Sequence, residues 1–183
     1  MATLICLLRG INLGGNNLIK MDALRTLCKS LGFRNARTYI ASGNIVFETD
    51  EKDLAALSEK VEKTLERKFG FRPEVILRTT SEMQAVIARN PFANRRGIEP
   101  NKLLVMFLKN ELEAEAQKAA LKIEAAQEEV RCNGRELYIY FPDGQGQSKL
   151  MPKLNKILKN SGTGRNWNTV TKLLEMADAT RST

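Results

Sequence analysis

The sequence predicts an α+β protein made of two ferredoxin-like halves, related by structural duplication, with antiparallel sheets covered by helices. Three observations point there. Short continuous apolar runs, suited to buried strands, alternate with apolar stripes at helical spacing. The two patterns occur twice in the same order, strand–helix–strand–strand–helix, which is the start of the βαββαβ unit. A turn-rich, charged segment, NPFANRRGIEP, separates the two rounds. The domain reading is therefore a first half over 1–90, a connecting segment over 91–101 and a second half over 102–183 with C-terminal helices.

In the first half, Thr3 to Leu8 is an unbroken apolar run and reads as a buried strand. Met21, Leu24, Leu27, Cys28 and Leu31 share one face of a helix that stops at Gly32. Ala36 to Ile40 and Asn44 to Glu48 read as strands around Ala41-Ser42-Gly43. Asp53 to Phe69 is an amphipathic helix closed by Gly70. Glu74 to Leu77 follows as a strand, then a short helix from Ser81 to Arg89, halted before Pro91.

The second half opens on LLVMFL after Lys102, again a buried strand. Glu111 to Glu124 carries early glutamates and late lysines, which suits a helix dipole. Glu128 to Cys132 and Arg135 to Phe141 form a hairpin across Asn133-Gly134. Lys149 to Lys159 reads as a helix, SGTG as a loop, and the stripe Trp167, Val170, Leu173, Leu174 and Ala177 as a last helix with Trp167 in the core. No residue-level similarity links the halves. They are expected to differ in one link: Gly10 to Lys20 join strand to helix in the first, against about two residues in the second, making the first link an inserted loop.

Composition excludes several kinds of chemistry. The chain has 183 residues and no histidine, so imidazole-based nucleophile systems, His-ligated zinc and His proton shuttles are ruled out. Its three cysteines, Cys6, Cys28 and Cys132, show neither disulfide nor zinc spacing and read as reduced thiols of a cytoplasmic protein, Cys6 and Cys28 in the core. No metal site and no cofactor is expected. No apolar run approaches the roughly 18 residues that span a bilayer, and MATLICLLRG reads as a first strand rather than a signal peptide. The formal net charge is +8. Between Gly144 and Leu174 lie six basic residues and no acid. Lys149, Lys153, Lys156 and Lys159 form a stripe that suits a polyanion such as nucleic acid, or that is simply a solvated helix face.

The run LLRGINLGGNN is the main candidate site. Gly10 and Gly15 have Walker A spacing, but Asn16 and Asn17 stand where that loop needs Lys and Ser/Thr. The Rossmann pattern is absent too. What remains is an anion or polar-ligand nest beside Arg9 and Asn12, or turn geometry alone, since Gly and Asn tolerate positive φ. Ser42-Gly43-Asn44 is a hairpin turn at a strand end of the same sheet. An RNA-recognition domain shares the element order, but SGNIVFET offers only Phe47 where a stacking platform is needed.

LLRGINLGG, TYIASGNIVF, SKL and TGRNWNTVTKLLE together resemble the signature runs of the uncharacterised bacterial family known as domain of unknown function 1697. The resemblance implies a soluble, cytoplasmic α/β protein and no assigned activity. It ranks Arg9, Gly10, Asn12, Gly14, Gly15, Ser42, Gly43, Asn44, Lys149, Thr163, Arg165, Asn166 and Thr169 as signature positions. MPKLNKILK and Gly164 depart from the pattern. The functional expectation is a small anionic ligand, a nucleotide or phosphorylated metabolite. Arg9, Gly10, Asn12, Gly14, Gly15, Ser42, Gly43, Asn44, Arg165, Asn166 and Thr169 would bind it from three loops, the arginines acting as anion clamps. The alternatives are a nucleic-acid-binding module using the lysine stripe and a histidine-independent enzyme. Oligomeric state is left open.

Overall fold

The structure is a computed structural model, and it describes residues 1–181. Two four-stranded antiparallel sheets account for all eight strands among these residues. The first contains β1 (Ala2–Leu8), β2 (Arg34–Tyr39), β3 (Asn44–Thr49) and β4 (Val75–Thr79), in the order β2-β3-β1-β4. Its helices are α1 (Met21–Ser30), between β1 and β2, and α2 (Leu54–Phe69), between β3 and β4. This is the complete βαββαβ unit. A third helix, α3 (Thr80–Ala88), follows β4 directly.

A 3-10 turn, Pro100–Lys102, leads into the second sheet, which repeats the plan. Its strands are β5 (Leu103–Phe107), β6 (Glu129–Asn133), β7 (Glu136–Tyr140) and β8 (Thr163–Asn166), in the order β6-β7-β5-β8. Helices α4 (Ala114–Leu121) and α5 (Leu150–Ile157) accompany them, and α6 (Trp167–Arg181) ends the described chain. By contacts the chain divides into two compact units. The first is Met1–Gln84 with the chain from Lys172 onward; the second is Ala85–Thr171. The last ten helical residues thus group with the first unit, whereas the sequence reading kept all C-terminal helices with the second half.

Register explains the core of the first unit. Leu4 faces Phe47, and Cys6 lies between Ile45 and Leu77, so these side chains share one sheet face. Leu24, Leu27 and Cys28 of α1 and Leu57, Val61 and Leu65 of α2 close over that face. Phe33 stacks on Phe47 with ring centroids 4.0 Å apart. The alternate residues Ile5, Leu7, Val46 and Ile76 are buried as well, which is why β1 reads as an unbroken apolar run rather than an alternating one. In the second unit Leu104, Met106, Leu137 and Ile139 play the same part beneath Leu150 and Leu154 of α5 and Ala120 of α4.

Helix ends follow local chemistry. Asp53 accepts from the Ala55 and Ala56 N–H groups at 3.0 and 2.9 Å, capping α2, and Gly70 closes it in the left-handed region. Three expectations need correcting. Glu111–Glu113 do not join α4, which starts at Ala114 after an extended Glu113, so the link in the second unit is 108–113. That makes six residues against the twelve of 9–20 in the first unit, and the inserted loop is shorter than expected. Thr163–Asn166 is also a strand, not a loop: it pairs with β5 and buries Thr163 and Arg165 on alternate positions. Having no apolar side chain, it gave no hydrophobic period to read. Trp167, expected in the core, is half-buried at the start of α6.

Cys6 and Cys28 are buried, as expected. Burial raises the Cys28 thiol from 9.0 to about 11. The folded state therefore favours the protonated thiol, and that contribution is intact below pH 9 and lost as pH rises towards 11. Denaturant titrations across this window are expected to show the native protein losing about 2 kcal/mol more than Cys28→Ala. Equal slopes for the two proteins would show that the thiol does not contribute.

Candidate functional site

The Gly-rich link is an ordered miniature hairpin. Gly14 and Gly15 have φ of +56° and +79°, the two left-handed residues of a type I′ turn. The Asn16 N–H closes that turn on the Leu13 carbonyl at 2.9 Å, and Leu13 and Asn16 form a β-bridge. One step out, the Asn12 N–H donates to the Asn17 carbonyl at 3.1 Å, and the Asn17 carboxamide donates to the Gly10 carbonyl at 3.1 Å. Asn12 and Asn17 take positive φ, which asparagine tolerates better than most residues. The glycines and asparagines therefore serve turn geometry first.

Asn12 ties this hairpin to the rest of the sheet end. Its Nδ2 donates to the Ile19 carbonyl at 3.0 Å and to the Ala41 carbonyl at 2.7 Å. Its Oδ1 accepts from the Ile19 N–H at 2.8 Å. Both amide protons are thus committed within the protein, so the ligand-donor role assigned to Asn12 from sequence has no free N–H to use.

The Ser42-Gly43-Asn44 turn lies against the same place. Leu8 donates its N–H to the Gly43 carbonyl at 2.8 Å. A Cβ on Gly43 would come within 2.8 Å of Leu8 Cβ and 3.0 Å of Ile11 Cδ1, and φ there is +84°. Glycine is required on both counts. Asn44 is buried, and its Nδ2 donates to the Tyr39 carbonyl at 3.0 Å and to Ser42 Oγ at 2.9 Å. Thus the loop meets the turn where Asn12 reaches Ala41 and where Gly43 lies against Leu8 and Ile11, largely through bonds that hold backbone.

Arg9 stands apart from this bonding. It is half-buried just past the end of β1, its backbone N–H donating to the Glu74 carbonyl at 3.0 Å. Arg25, Arg34, Arg37, Arg67, Arg72 and Arg78 of the same unit each donate to a protein acceptor. Among the described residues no acceptor holds the Arg9 guanidinium. The support beneath it includes a pair that sequence reasoning missed. Glu62, buried in α2, accepts from Arg72 Nε and Nη2 at 3.2 and 2.9 Å and from the Val75 N–H at 3.1 Å. Ser58 Oγ donates to the Val75 carbonyl at 2.7 Å. Together they fix the start of β4 next to Glu74. A Glu on a helix otherwise exposed at that spacing carries no local sign of burial, and only the polar interruption of the Leu57–Val61–Leu65 stripe could have hinted at it.

The remaining candidates lie in the second unit. Arg165 is buried in β8, where its Nη1 donates to Thr163 Oγ1 at 2.7 Å and to the Gly164 carbonyl at 2.8 Å. Asn166 Oδ1 accepts the Thr169 N–H at 2.9 Å, an N-terminal helix bond for α6. Lys149, Lys153, Lys156 and Lys159 are all exposed, with Lys153 Nζ donating to the Glu124 carbonyl at 3.2 Å. Lys149 and Lys153 line a groove of about 670 Å³ whose other walls carry Glu124, Glu128 and Asp143. These acids offset the lysine field there.

The comparisons with known proteins bear on the family and the fold. Residues 1–138 match the family described as "Protein of unknown function (DUF1697)". The solved structure of conserved bacterial protein SP0830 from Streptococcus pneumoniae is similar with a TM-score of 0.73 and 24% identity. The similarity spans 96% of this chain and 98% of that one, and at this identity it shows a shared fold. No curated protein matches the sequence. No described helix is long and apolar enough to cross a membrane.

Asn12→Asp tests whether the amide knot orders the loop. It keeps an acceptor for Ile19 N–H but sets carboxylate oxygen against two carbonyls. Hydrogen exchange is expected to speed up across 12–19, with a stability loss of about 2 kcal/mol. Gly43→Ala is expected to cost about 3 kcal/mol in urea denaturation, from the contact with Leu8 and the positive φ combined.

Proposed function

This chain belongs to the DUF1697 family, proteins of unknown function, and within that frame we propose that its first unit binds a small anionic ligand at Arg9. The ligand class is a phosphate-bearing metabolite or nucleotide. One observation carries the reading: Arg9 is the half-buried arginine of that unit whose guanidinium, among the described residues, has no protein acceptor. A guanidinium presents a planar fork of donors suited to two oxygens of a phosphate or carboxylate. The partial burial of the residue limits the conformations it must give up on binding.

The neighbours support that role without competing for it. Asn12, Gly43 and Asn44 spend their hydrogen bonds on holding the loop and turn, so the guanidinium emerges from a fixed frame. Ser42, half-buried in the turn, is the hydroxyl nearest in sequence to that frame. Preorganised donors bind anions better than mobile ones because little ordering remains to be done. Arg165 contributes elsewhere in this reading, since it already donates to Thr163 and Gly164. The lysine row is a weaker basis for a polyanion site because acids line the same groove.

Thermal-shift measurements against phosphate, nucleotides and sugar phosphates test the proposal. Stabilisation by at least one of them is expected, with affinity falling about tenfold to a hundredfold in Arg9→Ala, the effect of losing a charge-assisted pair. Arg9→Lys is expected to recover only part of it. Stabilisation that persists unchanged in Arg9→Ala would place the anion elsewhere.

A further inference from the structure

Building on the anion reading for Arg9, we infer that its ligand is amphiphilic: an organic phosphate monoester whose apolar group rests on Leu13, Leu18 and Ile40. Five large hydrophobic side chains are exposed among the described residues, and three of them belong to this one cluster. Leu13 is 63% exposed, Leu18 67% and Ile40 52%. Each is the immediate chain neighbour of a residue in the Asn12 knot: Leu13 follows Asn12, Leu18 precedes Ile19 and Ile40 precedes Ala41. Asn12 Nδ2 reaches the Ile19 and Ala41 carbonyls at 3.0 and 2.7 Å. With about 3.8 Å between successive Cα atoms, the three apolar residues gather within roughly 10 Å of the Asn12 carboxamide.

Ile40 adds an independent sign. Its φ is +49°, a region costly for a β-branched side chain and natural for glycine or asparagine. The turn nevertheless holds an isoleucine there, half in solvent, so its apolar surface is not explained by turn geometry or core packing. Clustered exposed apolar residues mark binding surfaces rather than ordinary protein surface. Charge fixes the sign of the occupant. Residues 1–21 contain Arg9 and Lys20 and no acid, and residues 33–47 contain Arg34 and Arg37 and no acid. Asp22, just past this window, is paired with Arg25, and Glu74 holds the Arg9 N–H through its carbonyl. An anion with an apolar group satisfies both the guanidinium and the leucines; a bare inorganic anion leaves the latter in water.

Calorimetric titration of the full-length protein with inorganic phosphate, phenyl phosphate and hexyl phosphate tests this. The two monoesters are expected to bind at least about tenfold tighter than inorganic phosphate, the effect of burying roughly two methylene groups. The double substitution Leu13→Ser with Leu18→Ser is expected to erase that advantage while leaving inorganic phosphate affinity and the melting temperature unchanged. Equal affinities for all three probes, or an advantage that survives the double substitution, would overturn the inference while leaving the anion site intact. Arg9→Ala separates the two readings: binding of all probes unchanged there would remove the anion site and the inference with it. Binding to anionic phosphatidylglycerol vesicles without binding to the monomeric esters would also overturn it.

Discussion

The carboxamide of Asn12 is the interaction on which the candidate site depends. Two donors and one acceptor on a single short side chain join the hairpin at 13–16, the approach to α1 at Ile19 and the turn after β2 at Ala41. These segments are up to 29 residues apart in sequence. A carboxamide satisfies two carbonyls and an N–H at once, whereas no hydroxyl has two donors and no carboxylate has any. Without it the link between β1 and α1 would be twelve residues of backbone with few anchors, and a loop of that length is entropically expensive to hold.

That constraint changes the meaning of the polar residues around it. Glycine, serine and asparagine beside an arginine suggest a cradle of donors awaiting a ligand. In the structure most of those donors are spent inside the protein, and the guanidinium is the group left over. The proposed site is therefore sparse: one strong cation, a rigid frame and apolar surface.

The fold was legible where its signals were local. Asp53 and Gly70 bracket α2 by capping chemistry, Asn133-Gly134 sets the hairpin of β6 and β7, and the apolar runs mark β1 and β5. The repeated order of these elements was enough to give the duplicated plan. What escaped reading lacked an apolar period or relied on partners distant in sequence. β8 is Thr-Gly-Arg-Asn, and only pairing with β5 makes it a strand. Glu62 and Arg78 are charged residues in the interior, held by Arg72 and Val75 and by the Leu77 carbonyl among others. The candidate site was legible only as a shared sheet end, where Asn12 reaches the Ala41 carbonyl beside the Ser42–Asn44 turn. It was not legible as a division of labour, because composition cannot tell a donor that binds a ligand from one that binds a carbonyl 29 residues away.

The glycines of this region differ in how much sequence drift they can absorb. A side chain at Gly14 or Gly15 would meet nothing within 4 Å, so only the handedness of the turn restricts those positions. Over evolutionary time either could pass to asparagine or aspartate with little harm. Gly43 is restricted by handedness and by neighbours at 2.8 and 3.0 Å together, and it can change only if Leu8 and Ile11 change with it. The tip of the loop could therefore take on a new side chain without disturbing its floor, whereas any change at the floor must begin with Leu8 and Ile11.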